Sequence, residues 1–281
     1  MEDPTPSSAP PGSAPPGSAE NGSAVNGPMD NGSALPGPAH NGSALNDALP
    51  PEKRRAIPYW HTAALILVLA VFSLLNARGA HLERAANSHV RIYLATIVYE
   101  WLLTAYVWWG LRRSGGTLRE LIGGRWQSVE DFLLDIAIAA GGWFATLLVL
   151  AMAALAMGMN QAGNLDDARR QIGFLAPQSA LEIVLWVCLS ATAGFCEEVL
   201  FRGYFQKQFT RLLRSRWIAV VVVSILFGLG HGYEGPQRMV LIALLGLALG
   251  IMSLLRQSLR PAMMAHTLQD TISGLLLRAL R

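Results

Sequence analysis

The sequence contains few charged residues and few cysteines. Only 15% of its 281 residues are charged, and two are cysteines. Cys188 and Cys196 lie eight residues apart in one predicted helix, too far along its axis to form a disulfide, and neither belongs to a Cys-x-x-Cys pair of the metal-binding type. The net charge is +3, and the basic residues fall mostly in short loops between apolar segments. This distribution orients membrane helices and argues against nucleic-acid binding.

The first fifty residues lack large apolar side chains almost entirely. They repeat Pro-Gly-Ser-Ala and Asn-Gly-Ser-Ala, a composition that buries too little surface to offset the entropy of ordering the chain. We therefore expect residues 1–52 to form a disordered tail and residues 53–281 to form a transmembrane domain. The tail does not have the basic start, apolar stretch and small-residue cleavage site of a signal peptide.

The remainder of the chain contains long stretches without charge. Such runs, together with their flanks, reach the roughly 20 apolar residues that a spanning helix needs. Seven apolar segments are predicted to be helical: 58–77, 90–110, 131–158, 179–206, 216–233, 237–256 and 261–280. The predicted fold class is therefore all-α, a polytopic transmembrane bundle of about seven helices embedded in a lipid bilayer.

The basic residues predict how these helices are oriented. With seven passes, thirteen of the 22 Lys and Arg residues fall at one end of the bundle and eight at the other. The positive-inside bias then places the N-terminus in the cytoplasm and the C-terminus outside. The simple tail and the absence of an organellar signal favour a bacterial inner membrane.

Six ionisable residues interrupt the later apolar segments. An ionisable side chain near the bilayer centre costs at least about 2.5 to 3.5 kcal/mol, so six in neighbouring segments indicate a functional constellation. They are Glu197, Glu198, Arg202, His231, His266 and Asp270.

The spacing of these residues predicts which of them share a helix face. Glu198 and Arg202 are four residues apart and are expected to pair. Glu197 points about 100° further around the same helix, so one glutamate is expected to be structural and the other chemical. His266 and Asp270 are one turn apart. An ion cluster that only holds the helices together remains the alternative.

Three motifs in this order resemble the CPBP family of intramembrane proteases, which contains the type II CAAX prenyl endopeptidases and bacteriocin-processing or immunity proteins. Residues 197–202 match Glu-Glu-x-x-x-Arg, Phe227 and His231 match Phe-x-x-x-His, and residues 266–270 match His-x-x-x-Asn/Asp. The resemblance covers a protease-like core at about residues 125–280.

The resemblance implies an endopeptidase that activates water inside a membrane cavity. Glu197 would then be the general base and His231 would help to orient the water. Glu198 and Arg202, with Phe227, would support the site. His266 and residue 270 would stabilise the oxyanion of the tetrahedral intermediate.

Asp270 departs from the family pattern, because CAAX-processing members commonly carry asparagine at this position. An ionised aspartate cannot donate a hydrogen bond to an oxyanion. Asp270 must therefore be protonated, orient His266 or serve a metal, and we favour the orientation of His266.

The position of His266 is a further difficulty. It lies five residues into the last segment, whereas Glu197 and His231 each lie about 20 Å from the cytoplasmic ends of their helices. His266 reaches them only if the turn before Pro261 enters the protein.

The sequence therefore leaves both the cofactor and the function open. Glu197, His231 and His266 could form an open site for a divalent metal such as zinc, although the sequence has no His-Glu-x-x-His helix. Buried carboxylates and histidines also serve transporters and proton relays. A non-catalytic, immunity-type scaffold is the third class. The partner predicted for a protease is a membrane-associated peptide or protein, and the sequence indicates neither its prenylation nor an oligomeric state.

Overall fold

The computed structural model describes residues 56–83, 89–159 and 173–279, together with Met1. These residues form eight helices and no strands, which confirms the all-α prediction. Each predicted apolar segment forms a helix, and the eighth helix is the short α3. The predicted N-terminal tail lies outside the described residues. The helices are α1 (Tyr59–Glu83), α2 (His89–Ser114), α3 (Leu118–Ile122), α4 (Val129–Ala156), α5 (Ala180–Leu213), α6 (Arg216–Gly230), α7 (Pro236–Arg256) and α8 (Arg260–Ala279).

Four of the helices, α2, α4, α5 and α7, are long and apolar enough to cross a membrane. Helices α1 and α6 contain the shorter apolar stretches Tyr59–Leu75 and Arg216–Gly230. A helix satisfies its backbone hydrogen bonds internally, as the hydrocarbon core of a bilayer requires. The protein is an integral membrane protein. The number of passes and the cytoplasmic location of the N-terminus stay predictions.

The loops gather at two ends of the bundle. At one end, the Leu259 amide donates to the Ile122 carbonyl at 2.8 Å, and Arg211 donates to the Ile57 carbonyl at 3.3 Å. At the other end, Arg278 donates to the Gln178 carbonyl at 3.0 Å. This grouping agrees with the two sets of loops that the basic residues distinguish in the sequence.

Helix α3 supports the turn that precedes α8. A capping box between Thr117 and Glu120 starts this helix, and Gly123 ends it with a φ of 104°. Gly123 also has no room for a side chain, because a Cβ there would lie 2.7 Å from the Cα of Ser258. Leu121 is buried in the main core. The start of α8 is thereby held against α3.

Four charged side chains, which we call the arginine–aspartate cluster, tie α4 to α7 and α8. They are Asp131, Asp135, Arg256 and Arg260. The two carboxylate oxygens of Asp135 each lie 2.8 Å from the Nε of one arginine, Oδ1 from Arg256 and Oδ2 from Arg260. Arg256 also pairs with Asp131, and the indole of Trp126 donates to Asp135 at 2.8 Å. The cluster contains as many acids as bases, and it fixes the corner where three helices meet.

Candidate active site

The Glu-Glu-x-x-x-Arg motif lies where α5 changes its helical geometry. Ala180–Glu197 is α-helical, Glu198–Phe205 is a π-helix, and Gln206–Leu213 is α-helical again. All eight residues of the π-helical segment are buried. Such segments are rare and occur frequently at functional sites. The wider turn begins at Glu198, so the geometry of the helix changes between the two adjacent glutamates.

Glu198 and Arg202 form the buried ion pair that their spacing predicts. Arg202 Nη1 donates to Glu198 Oε1 at 2.7 Å, and Arg202 Nη2 donates to the Gly246 carbonyl at 3.1 Å. The guanidinium carbon lies 4.2 Å from the centre of the Phe227 ring. A cation over an aromatic face gains electrostatic stabilisation. The arginine is therefore held by α5, α6 and α7 together.

His266 lies between the two glutamates and Asp270. Its Nδ1 is 2.8 Å from Glu198 Oε1, and because a carboxylate accepts, Nδ1 carries the hydrogen. Its Nε2 is 3.8 Å from Glu197 Oε2 and 3.5 Å from Asp270 Oδ2. The edge of the ring packs against Phe227, with centroids 5.8 Å apart. Glu198 therefore fixes the orientation of the imidazole, and its second nitrogen faces Glu197 and Asp270.

His266 reaches this position because α8 begins inside the protein. The first residues of the helix and the turn before it are buried: Ser258, Leu259, Arg260, Pro261 and Ala262. Gly194 lets α5 approach α8 closely, since a Cβ there would lie 2.9 Å from the Met263 carbonyl oxygen and would meet the Thr267 side chain. The turn before Pro261 enters the protein, as a contact between His266 and α5 requires.

His231 caps the C-terminal end of α6. Its Nδ1 lies 2.9 Å from the Phe227 carbonyl oxygen, so this nitrogen donates and Nε2 is left as an acceptor in the neutral ring. The ring also packs against Tyr233, with centroids 6.0 Å apart. The backbone carbonyl at the end of the helix thus determines which imidazole nitrogen has a lone pair.

A cavity of about 530 Å³ brings the predicted catalytic residues together. Glu197, His231, His266 and Asp270 all line it, as does Phe227. Glu198 and Arg202 are buried but do not belong to its lining. The volume falls within the range of about 300 to 1,000 Å³ that is usual for small-molecule sites.

One comparison with known protein families gives a match. Residues 179–272 match the family described as type II CAAX prenyl endopeptidase Rce1-like, a range that includes all three motifs. The match covers 94 of the 281 residues and makes this part of the chain similar to that family. No curated protein and no solved structure is significantly similar to the chain. Helices α1 to α4 lie outside the matched range.

Sequence reasoning missed two acidic residues of the cavity. Glu100, on α2, is 6% exposed, and its Oε2 has no hydrogen-bond partner. Glu234 lies in the turn between α6 and α7. Burial raises the pKa of the Glu234 carboxyl, while His231 and Arg238 act in the opposite direction. Glu100 is the single acid of an apolar helix, so the cost of burying charge in a membrane could have identified it from sequence.

The sequence leaves open a metal site at Glu197, His231 and His266. Within residues 56–83, 89–159 and 173–279, no three His, Cys, Asp or Glu side chains are grouped so as to hold a metal ion. The Nδ1 atoms of His231 and His266 are bonded to Phe227 and Glu198. Each imidazole therefore has only its Nε2 left to bind water, substrate or a metal ion.

Proposed function

We propose that this protein is an intramembrane endopeptidase that hydrolyses a peptide bond of a membrane-associated peptide or protein. The observation that carries the proposal is the position of Glu197 beside His266 in the cavity. In each of the two adjacent glutamates Oε2 has no hydrogen-bond partner, but only Glu197 lines the cavity. Glu198 is instead paired with Arg202 and His266. The chemical role therefore belongs to Glu197 and the structural role to Glu198.

Glu197 acts as the general base. Its carboxylate accepts a proton from water, the resulting hydroxide oxygen attacks the scissile carbonyl carbon, and the proton then passes to the leaving amine. His231 Nε2, an acceptor in the neutral ring, takes the second hydrogen bond of the water and fixes its direction of attack. General-base catalysis of this kind contributes about 10²- to 10⁴-fold to a rate.

His266 stabilises the oxyanion that forms on the carbonyl oxygen. A protonated imidazole donates through Nε2, and the Glu198 carboxylate on Nδ1 both orients the ring and stabilises its positive charge. We assign the orientation of His266 to Glu198 instead of Asp270, because Asp270 faces the other nitrogen at 3.5 Å. Asp270 supports the charge on His266 and donates no hydrogen bond when ionised.

The test is comparative peptidomics of membranes from cells that express the wild type or Glu197→Gln. Cleavage of any peptide identified in this way is then compared for the two purified proteins in nanodiscs. We expect fragments to disappear in Glu197→Gln and His231→Ala, but to persist in Glu130→Gln, which removes a carboxylate from the exposed start of α4.

An unchanged fragment pattern in folded Glu197→Gln would contradict the proposal. Proton flux into liposomes that the same substitution abolishes, without any change in the fragments, would instead indicate a proton relay.

A further inference from the structure

The lining of the cavity is acidic. Four carboxylic side chains line it, and among the described residues no lysine or arginine does. Within the part of the chain that the structure describes, the two histidines of the proposed mechanism are its only basic side chains. The acidic side chains are those of Glu100, Glu197, Glu234 and Asp270.

Most basic side chains near the cavity already interact with a particular acidic residue. His266 makes its 2.8 Å bond to Glu198, which lies behind the lining. Arg238 acts on Glu234, and its side chain also donates to the backbone carbonyl of that residue at 3.3 Å. Glu100 has no base among its hydrogen bonds or ion pairs. The lining therefore contains more acid than the surrounding side chains balance.

Among the acids of the lining, Glu100 has the least compensation for its burial. It is 94% buried, since its exposed fraction is 6%, and its Oε2 has no partner although it lines the cavity. The ring of the next residue, Trp101, stacks on Phe195 of α5 with centroids 5.6 Å apart. This contact holds the stretch of α2 around Glu100 against the stretch of α5 that leads to Glu197. A buried carboxyl oxygen without a partner is costly unless a ligand satisfies it.

We propose that Glu100 binds a lysine or arginine side chain of the substrate, so that the protease selects peptides with a basic residue near the scissile bond. This inference rests on the proposed function and names the substrate class of the same site. The apolar part of the lining, which includes Leu69, Phe72 and Leu103, contacts the methylene groups of such a side chain while its charged end reaches Glu100. A carboxylate of a substrate is repelled by the same lining.

The experiment compares three series of N-palmitoylated, fluorescent alanine-based decapeptides that place lysine, norleucine or glutamate at each position in turn. Binding is measured by anisotropy with the full chain in nanodiscs. The Glu197→Gln background prevents cleavage, and it is used with and without Glu100→Gln. We expect the best lysine peptide to bind at least about tenfold more tightly than its norleucine counterpart, and Glu100→Gln to remove that preference. Glu130→Gln is the matched control and keeps the preference.

Equal affinity for the lysine and norleucine peptides in the Glu197→Gln background would overturn the inference, as would a preference that survives Glu100→Gln. Thermal unfolding checks that each variant is folded. If Glu100→Gln fails to fold, Glu100→Asp takes its place and is expected to keep the lysine preference at lower affinity, and an unaltered affinity would count against the inference. Cleavage is measured separately with the wild type. Lysine-selective binding without cleavage would contradict the proposed protease activity but not the role of Glu100. Cleavage without lysine selectivity would contradict the role of Glu100 but not the protease activity.

Discussion

The molecule contains two groups of charged side chains that are buried wholly or in part, and they differ in how completely their charges and hydrogen bonds are balanced. In the arginine–aspartate cluster, two acids meet two bases and both oxygens of Asp135 are bonded. The only buried atom of this cluster without a partner is Arg260 Nη1. In the cavity, oxygens of Glu100 and Glu197 lack partners. The balanced group holds helices together, whereas the unbalanced group leaves the acceptors that the proposed mechanism uses.

The two groups therefore make different predictions for stability and for cleavage. Breaking a balanced buried cluster leaves an uncompensated charge and destabilises the fold. Removing an unpartnered carboxylate from a cavity relieves repulsion and desolvation and removes only its chemistry. Glu198 and Arg202 are intermediate. Their charges are paired behind the cavity and Glu198 also binds His266, but Glu198 Oε2 has no hydrogen-bond partner.

The largest loss of stability is expected for Arg202→Gln. This change leaves the Glu198 carboxylate buried with one fewer cation and should cost about 3 to 5 kcal/mol of unfolding free energy. Thermal unfolding in detergent measures the loss. The double variant Glu198→Gln/Arg202→Gln removes both charges and should recover part of it. If the two single losses simply add in the double variant, the two side chains are not coupled as the ion pair requires.

A smaller loss is expected for Asp135→Asn in the arginine–aspartate cluster. The amide keeps the shape of the side chain but weakens its hydrogen bonds to two arginines, and a hydrogen bond to a charged group contributes about 1.5 to 3 kcal/mol. Unfolding measurements should show the loss, while the folded fraction keeps its rate of cleavage. If Asp135→Asn reduced cleavage per folded molecule as strongly as Glu197→Gln does, the arginine–aspartate cluster would not be limited to a role in stability.

Gly194→Ala should weaken the contact that positions His266. The added methyl group would meet Thr267 and the Met263 carbonyl, so α8 must move away from α5, at a cost of about 1 to 3 kcal/mol. Cleavage should fall with stability, because the bond between His266 and Glu198 crosses this contact. Gly141→Ala on α4 is the matched control. A Cβ there meets nothing within 4 Å, so that variant should keep both properties. Equal behaviour of the two variants would contradict close packing at Gly194.

Much of the site could be predicted from spacing alone. Residues four apart share a helix face, so the pair of Glu198 and Arg202 follows from sequence once the segment is helical. The cost of burying charge in a membrane likewise identifies most of the cavity's acids and histidines. Which nitrogen of His266 meets which carboxylate depends on how α8 packs against α5, and local periodicity carries no information about that packing.

The remaining features depend on contacts between distant segments. The π-helical turn after Glu197 has no signal in the composition of an apolar helix. Arg256 and Arg260 look like loop residues that orient helices, yet the structure pairs them with Asp131 and Asp135, more than 120 residues earlier. The depth of His266 depends on a turn that α3 supports. Tertiary packing, not local pattern, determines these features.

The most direct test of the account measures cleavage and unfolding temperature together for Glu197→Gln and Asp135→Asn. We expect Glu197→Gln to reduce cleavage by about 10²- to 10⁴-fold with an unchanged or raised unfolding temperature. We expect Asp135→Asn to lower the unfolding temperature and to leave the cleavage rate of the folded protein intact. Wild-type cleavage by Glu197→Gln, or a loss of folding as large as that of Asp135→Asn, would contradict the central role of Glu197.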